Sequence, residues 1–578
     1  MANMEIITQK NSKKWIIGGL ISGILLIVSA VILLLYPFPS NEKHAYFKGE
    51  HPIIFKGMPQ GNAVVQNQSI YLPMQFIQEN LDLAIRYDEK SKSVIITTKD
   101  KVVQMPTDSL TYFINEQPVS LQLSPIMTMN DQVYISIDSI LPFYSFQYTR
   151  LQDSDAIIIE QDGDTYTNAT VMNKDINEKR LRIRTKPEWQ APYSAQLKRN
   201  EAVRIEGEKQ DFYFVRKANG MAGYIKKKYI QPGELEKITV AHDTKKFNLP
   251  KVNGPINLTW EAVYTKNPDM TKIPEMSGVN VISPTWFSLA GADGSVKNLA
   301  SLDYSHWAQT RGYQVWGVFS NAFDPELTHQ AFKDFETRKN IIRQLLYFSQ
   351  MYQLQGINFD IENVNQEDGP YITQLMREAA PYLHEAGLVV SMDITFAAGE
   401  NNNWSSFYER PKLAEIADYL IVMAYDEHAG SSSEAGSVAS FPWVENNLDQ
   451  LLKEVPNDKL ILGVPLYTRL WKEQTNSDGT TLITSKALSM DQASEWLAEK
   501  GVQPAYDEES GQNYAEYKAP EENAVYKIWM EDESSLTKRA NLAVTKNLAG
   551  VASWSRLFAG QTAWTALQMT TNNNVTQN

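Results

Sequence analysis

"GINFDIENVN", residues 356–365, decides how the C-terminal half of this 578-residue chain is read. Side chains along a strand point alternately to opposite faces. In this run Asn358, Asp360 and Glu362 therefore share one face, and Ile357, Phe359 and Ile361 share the other. Carboxylates inside an apolar strand carry a desolvation cost, which chemistry at the acidic face would justify.

The surroundings of the run supply a setting. From about residue 250 eight β-rich runs follow in order: "INLTWEAV" (256–263), "VNVISPTWFSL" (279–289), "YQVWGVFS" (313–320), "GINFDIENV" (356–364), "VVSMDITF" (389–396), "YLIVMAYD" (419–426), "LILGVPLYTR" (460–469) and "GVASWSRL" (550–557). Helical patterns such as "TRKNIIRQLLYFSQMYQL" lie between most of them. Alternating strand and helix over this length predicts a (β/α)8 TIM barrel across 245–570. The long gap between the seventh and eighth runs predicts a small α+β insertion at about 472–545. Chemistry in such barrels sits at the C-terminal strand ends. Here those ends carry Asp360 and Glu362, Asp393, Tyr425 and Asp426, Tyr467 and Arg469, and Trp554.

"GINFDIENV" resembles the D-x-x-D-x-D-x-E signature of glycoside hydrolase family 18, the chitinase-like family. Aligned on its last acid, the signature falls on Gln355, Asn358, Asp360 and Glu362, so the first two acids are replaced. "MAYDEH" (423–428), "LGVPLYTRLW" (462–471) and the late Trp554 extend the resemblance over about 250–570. An Asn at the second position is similar to the branch of the family that acts on spore peptidoglycan.

The resemblance implies a retaining glycosidase with substrate-assisted catalysis, in which the sugar's acetamido oxygen replaces a protein nucleophile. Glu362 would be the general acid, Asp360 would hold the acetamido N–H, and Tyr425 would hydrogen-bond its carbonyl oxygen. Trp554 would floor the sugar ring, and Asn358, Asp393 and Asp426 would position hydroxyls or tune the acid. Tyr467, Arg469, Trp286 and Trp316 are candidates for sugar subsites and equally for barrel packing. The implied substrate is an N-acetylglucosamine-containing polysaccharide, peptidoglycan or chitin, with no cofactor and no metal. An anchored, non-catalytic carbohydrate-binding protein is the rival class.

The N-terminal half reads as accessory modules. Residues 15–36, "WIIGGLISGILLIVSAVILLLY", form an uncharged apolar run behind Lys10, Lys13 and Lys14. That pattern predicts a transmembrane signal anchor, with 1–14 as a cytoplasmic tail and the bulk of the chain outside. The location implied is the membrane of a Gram-positive bacterium. "VSA" at 28–30 offers the alternative of a cleaved signal peptide and a secreted protein. After a linker at 37–50, two segments (67–98 and 130–161) echo each other within an α+β repeat module at 51–165. This module resembles the stalk found at the N-terminus of some copper amine oxidases; neither copy contains a histidine, so no copper chemistry is implied. Residues 171–233 resemble a small bacterial SH3-like β-barrel and hold fifteen Lys and Arg against seven Asp and Glu. That balance suits either a solvated surface or contact with an anionic cell-wall polymer. The polar tail 571–578 reads as disordered. A net charge of −14 argues against general nucleic-acid binding. The absence of cysteine excludes disulfides and thiolate chemistry, and the seven scattered histidines lack metal-ligand spacing.

Overall fold

The computed structural model describes residues 12–35, 39–241, 244–399 and 402–569. Two compact units emerge: Met1–Leu83 with Thr107–Leu110 and Leu121–Asp243, and Ala84–Pro106 with Thr111–Ser120 and Thr244–Asn578.

The second unit contains a closed barrel of eight parallel strands. These are β1 (Ile256–Glu261), β2 (Val281–Pro284), β3 (Gln314–Ser320), β4 (Gly356–Asp360), β5 (Val389–Ile394), β6 (Tyr419–Met423), β7 (Leu460–Pro465) and β8 (Gly550–Trp554). Each pairs with the next, and β8 pairs with β1 to close the ring. The helices that follow are α1 (Leu302–Thr310), α2 (Pro325–Phe332), α3 (Phe335–Met351), α4 (Gly369–Glu385), α5 (Arg410–Ile416), α6 (Phe441–Leu451), α7 (Met490–Lys500) and α8 (Glu533–Thr545).

Strands covered on both faces need apolar residues on both, and β7 is buried at every position. Leu258, Trp260, Trp316, Val318, Ile421, Ile461 and Ala552 pack together in one cluster. Ile357, Phe359 and Ile361 join the larger core with the helices, each 0% exposed. The alternation read in 356–361 thus holds, with apolar residues turned to the helices. Because all eight strands run the same way, Asp360, Asp393, Asp426 and Trp554 emerge at one end.

The inserted subdomain begins earlier than the expected residue 472. Tyr467–Thr475 leaves β7 directly and pairs with Thr481–Ser489 and with Ala524–Trp529 in a five-stranded antiparallel sheet. Helix α7 accompanies it, with a capping box between Ser489 and Gln492 and left-handed Gly501 closing its end. Helix α8, inside the expected insertion range, instead packs into the barrel's outer core through Leu536, Leu542 and Ala543.

The same unit includes an antiparallel sheet over residues 86–120, held to α3 by Asp88 capping the Phe335 amide (2.9 Å) and by Lys90–Asp334 (2.9 Å). The 51–165 module is therefore not itself one compact unit. The repeat is visible as strand, helix, strand, strand: from Gln132 to Gln161 within the first unit, and from Ser69 to Thr97, where the chain passes from the first unit to the second after Leu83. Residues 165–237 form a seven-stranded antiparallel sheet around Val171, Ile183, Val203, Val215 and Ile225. The sheet overruns the expected 171–233 at both ends.

The N-terminal helix spans Ser12–Leu35, with side chains described over 16–32. Among the described residues no helix is long and apolar enough to cross a membrane. This overturns the expected anchor over 15–36 and the single-pass location. Residues 1–11 of the expected cytoplasmic tail, 36–38 at the anchor's end and in the linker, and the 571–578 tail lie outside the described residues.

Candidate active site

β4 ends at Asp360, where its pairing with β3 ends at Ser320. Glu362 therefore stands two residues past the strand, a correction to the reading of three alternating positions within it. The two acids still meet: each carboxyl influences the titration of the other through charge and hydrogen bonding. Burial pushes Asp360 up to about 7, and its hydrogen bond with Glu362 opposes that rise. Burial, then the charge of Asp360 and the same hydrogen bond, then the charge of Asp426, push Glu362 well above the usual carboxylate range. Burial and the neighbouring charges act together on Glu362, and both favour the neutral acid. Both residues keep partial exposure at the strand mouth.

Beneath them lies a polar layer shut off from solvent. Asn358 and Asp393 are 0% and 1% exposed. The Asn358 amide donates to Asp393 Oδ2 (2.7 Å) and accepts from Ser391 Oγ (2.6 Å), its register partner on β5. Burial and the charge of Asp360 hold the Asp393 carboxyl well above its ordinary value. A second carboxylate at 358 would face Asp393 with like charge, so an amide that donates is the residue this layer accepts. Neither residue can contact a sugar from this depth, which corrects their expected place among substrate-binding groups.

Around the mouth stand Tyr425, Asp426, Arg469 and Trp554. Asp426 is exposed and left-handed (φ 60°). Its Oδ1 accepts from the Tyr467 hydroxyl (2.5 Å) and from Arg469 NH2 (3.3 Å). Tyr425 meets Tyr467 edge-on at 6.4 Å, and burial with the charge of Asp393 raises its phenol. Trp554 lies edge-on to Trp260 at 6.0 Å. Tyr467, 5% exposed, backs Asp426 instead of lining the opening.

Three expected positions fall elsewhere. Trp286 is 1% exposed, donates to Asn267 Oδ1 (2.6 Å) and packs on Tyr304, so it belongs to the outer core. Trp316, also 1% exposed, stacks on Tyr419, near the N-terminal ends of β3 and β6. Gln355 precedes β4 and accepts from the Val315 amide (2.9 Å), at the opposite end from the acids.

Sequence reasoning missed Asn321, Tyr408, Glu261 and Arg556. Asn321, just past β3, bonds the backbone of Glu362, and the Tyr408 hydroxyl donates to the Ile361 carbonyl (2.8 Å). Glu261, at the end of β1, is 0% exposed and paired with Arg556 beyond β8. A polar residue at or just past the C-terminal end of a barrel strand was the available signal for Asn321 and Glu261.

The raised carboxyls imply a pH-dependent stability. A group whose folded value lies above its unfolded one stabilises fully below the unfolded value and loses that contribution as pH rises through the folded one. For Asp360 this window runs from about 4 to about 7, and Glu362 and Asp393 prolong it in the same direction. The melting temperature is expected to fall between pH 5 and pH 8 more steeply in the wild type than in Glu362→Gln, which removes one member of the cluster. Parallel slopes in scanning calorimetry would refute the raised titration of the cluster.

Residues 304–558 match glycosyl hydrolases family 18, and residues 56–159 match the copper amine oxidase N-terminal domain. An uncharacterized glycosylase, YvbX, of Bacillus subtilis is 26% identical over 270 residues, 45% of this chain and 76% of that protein. The cortical fragment-lytic enzyme of the same organism is 24% identical over 242 residues, 42% of this chain and 55% of its own length. In fold, the chain is similar to the spore cortex-lytic enzyme SleL of Bacillus megaterium, with a TM-score of 0.50 and 19% identity over 59% of this chain and 77% of that one. The chain thus carries a domain of glycosyl hydrolase family 18, a family of glycosidases, preceded by a copper amine oxidase N-terminal domain.

Proposed function

We propose that the barrel hydrolyses β-1,4 bonds following N-acetylglucosamine in peptidoglycan, with retention of configuration. Glu362 gives its proton to the glycosidic oxygen as the C1–O bond breaks. The substrate's acetamido oxygen bonds to C1 in place of the leaving group, with Asp360 accepting from the acetamido N–H and Tyr425 donating to the acetamido oxygen. The Glu362 carboxylate then takes a proton from water, whose oxygen attacks C1, reopens the ring and restores the acetamide. Trp554 would stack on the sugar at this subsite, and Asp426 and Arg469 would bond its hydroxyls or those of its neighbour.

The single observation that carries the reading is the carboxyl pair of Asp360 and Glu362 at the strand mouth, where burial and mutual charge favour a neutral acid. An acid held neutral near physiological pH is what leaving-group protonation requires. The preference for peptidoglycan is supported by relatives named as cortex-lytic enzymes and by the amide at 358. The basic surplus of 171–233 suits an anionic wall polymer as a second partner. Chitin remains the competing substrate, because the same groups recognise its acetamido sugar equally.

Incubation with purified peptidoglycan and with chito-oligomers, followed by mass analysis, tests the proposal. Products with N-acetylglucosamine at the new reducing end, released from peptidoglycan faster than from chitin, are expected. The reverse preference would move the substrate to chitin. Binding without cleavage of either would make the domain a lectin.

A further inference from the structure

Glu362 lies on a loop, and a loop acid must be held if its proton is to meet a bond. The β3–β4 ladder ends at Ser320 and Asp360. Beyond that rung the Asn321 carboxamide takes the place of a backbone partner. Its Oδ1 accepts from the Glu362 amide (3.0 Å), and its Nδ2 donates to the Glu362 carbonyl (2.7 Å) and to Thr328 Oγ1 (2.8 Å). Asn321 is 0% exposed.

The link is reciprocal. Ala322 and Phe323 are both left-handed (φ 57° and 56°), and the Phe323 carbonyl accepts from Asn363 Nδ2 (2.9 Å), itself at φ 51°. Non-glycine residues persist in this region only where their surroundings over-determine them, and such strain gathers at functional sites. From the β5 side, the Tyr408 hydroxyl holds the Ile361 carbonyl, and the Asn403 carbonyl accepts from the Val364 amide (2.8 Å). Every residue from 361 to 364 is tied to a neighbouring loop.

We propose that Asn321 is a positioning residue for the reaction, fixing the backbone of Glu362 so that its carboxyl stays paired with Asp360 and aimed at the scissile oxygen. This rests on the function proposed above and adds a residue from the β3 loop to it. Asn321 touches neither substrate nor reacting atoms; it acts through Glu362.

Asn321→Ala is the test, compared with Thr328→Val, which removes a buried hydrogen bond to Asn321 and leaves both bonds to Glu362 available. Asn321→Ala is expected to lower kcat roughly 10- to 100-fold, the scale of an ångström of misplacement, with KM changed less than threefold. Thr328→Val is expected to stay within about threefold of wild type in kcat. The groups facing Glu362 are Asp360 beside it, Asp393 and Tyr408 of β5 and its loop, and Tyr425 and Asp426 just past β6. All are acids or phenols, so a loosened Glu362 moves away from negative charge and toward water. The alkaline limb of kcat/KM should therefore shift about one pH unit downward in Asn321→Ala.

Infrared difference titration of the carboxyls, with Glu362→Gln identifying the band, reads the same shift without turnover. If wild type cleaves no glycan, the function fails while this titration still decides the clasp. An unchanged titration in folded Asn321→Ala, or equal kcat losses in both variants, would overturn the positioning role.

Discussion

Glu362→Gln is expected to lower turnover by at least about 10²–10³-fold without unfolding the protein, the scale of a lost general acid. Glutamine keeps the shape of the side chain and can donate its amide to Asp360, so the pair survives as a hydrogen bond without a transferable proton. Desolvation and the neighbouring charge, which hold the native acid neutral, do not act on an amide. Substrate binding should persist, leaving KM within a few-fold and the loss in kcat. Asp360→Asn separates the two acids: it removes the charge beside Glu362, so the alkaline limb of the wild-type profile should move to lower pH. Steady-state kinetics on a soluble muropeptide or chito-oligomer checks both variants. Turnover like that of the wild type in Glu362→Gln would end the glycosidase assignment.

The barrel was legible because its strands are buried on both faces, and near-continuous runs such as "LILGVP" have few other uses in a chain of this size. The acid pair was legible for the opposite reason: Asp360 and Glu362 break the pattern that surrounds them. Trp286 and Trp316 misled because an aromatic on a strand looks the same in sequence whether it faces sugar or core. Only the neighbours Tyr304 and Tyr419 settle which, and they are not adjacent in sequence. Asn358 and Asp393 were found but placed too high, since depth within a barrel depends on the stagger of neighbouring strands. Asn321 escaped because its partner is a backbone, which carries no residue identity to match. The insertion's early start followed from β7 running straight into Tyr467, with no turn residue to mark a boundary.

The buried pair of Glu261 and Arg556 was the least legible feature, joining positions 295 residues apart, and its disruption should be the most costly to stability. Glu261 ends β1 with no solvent exposure, and Arg556, 10% exposed in its side chain, follows β8. The guanidinium bonds both carboxylate oxygens, through Nε to Oε2 and through NH2 to Oε1 (2.9 Å), while the Tyr304 hydroxyl donates to Oε2 (3.1 Å). Arg556→Met leaves that carboxylate buried with one phenol for company. Removing one partner of such a pair costs about 3–5 kcal/mol, a large share of the 5–15 kcal/mol that typically holds a domain together. The cost lies in the stranded charge, so the double variant Glu261→Gln with Arg556→Met should recover at least half of it, a non-additivity that a simple packing defect would not show. Trp554 stands two residues before Arg556 on the segment this pair secures, so the single variant should also raise KM while the double variant moves it back. Denaturant unfolding and kinetics on the two variants measure both effects. A loss below about 1 kcal/mol for Arg556→Met, the range of an ordinary exposed pair, would mean that the closure of β8 on β1 is held by strand pairing alone.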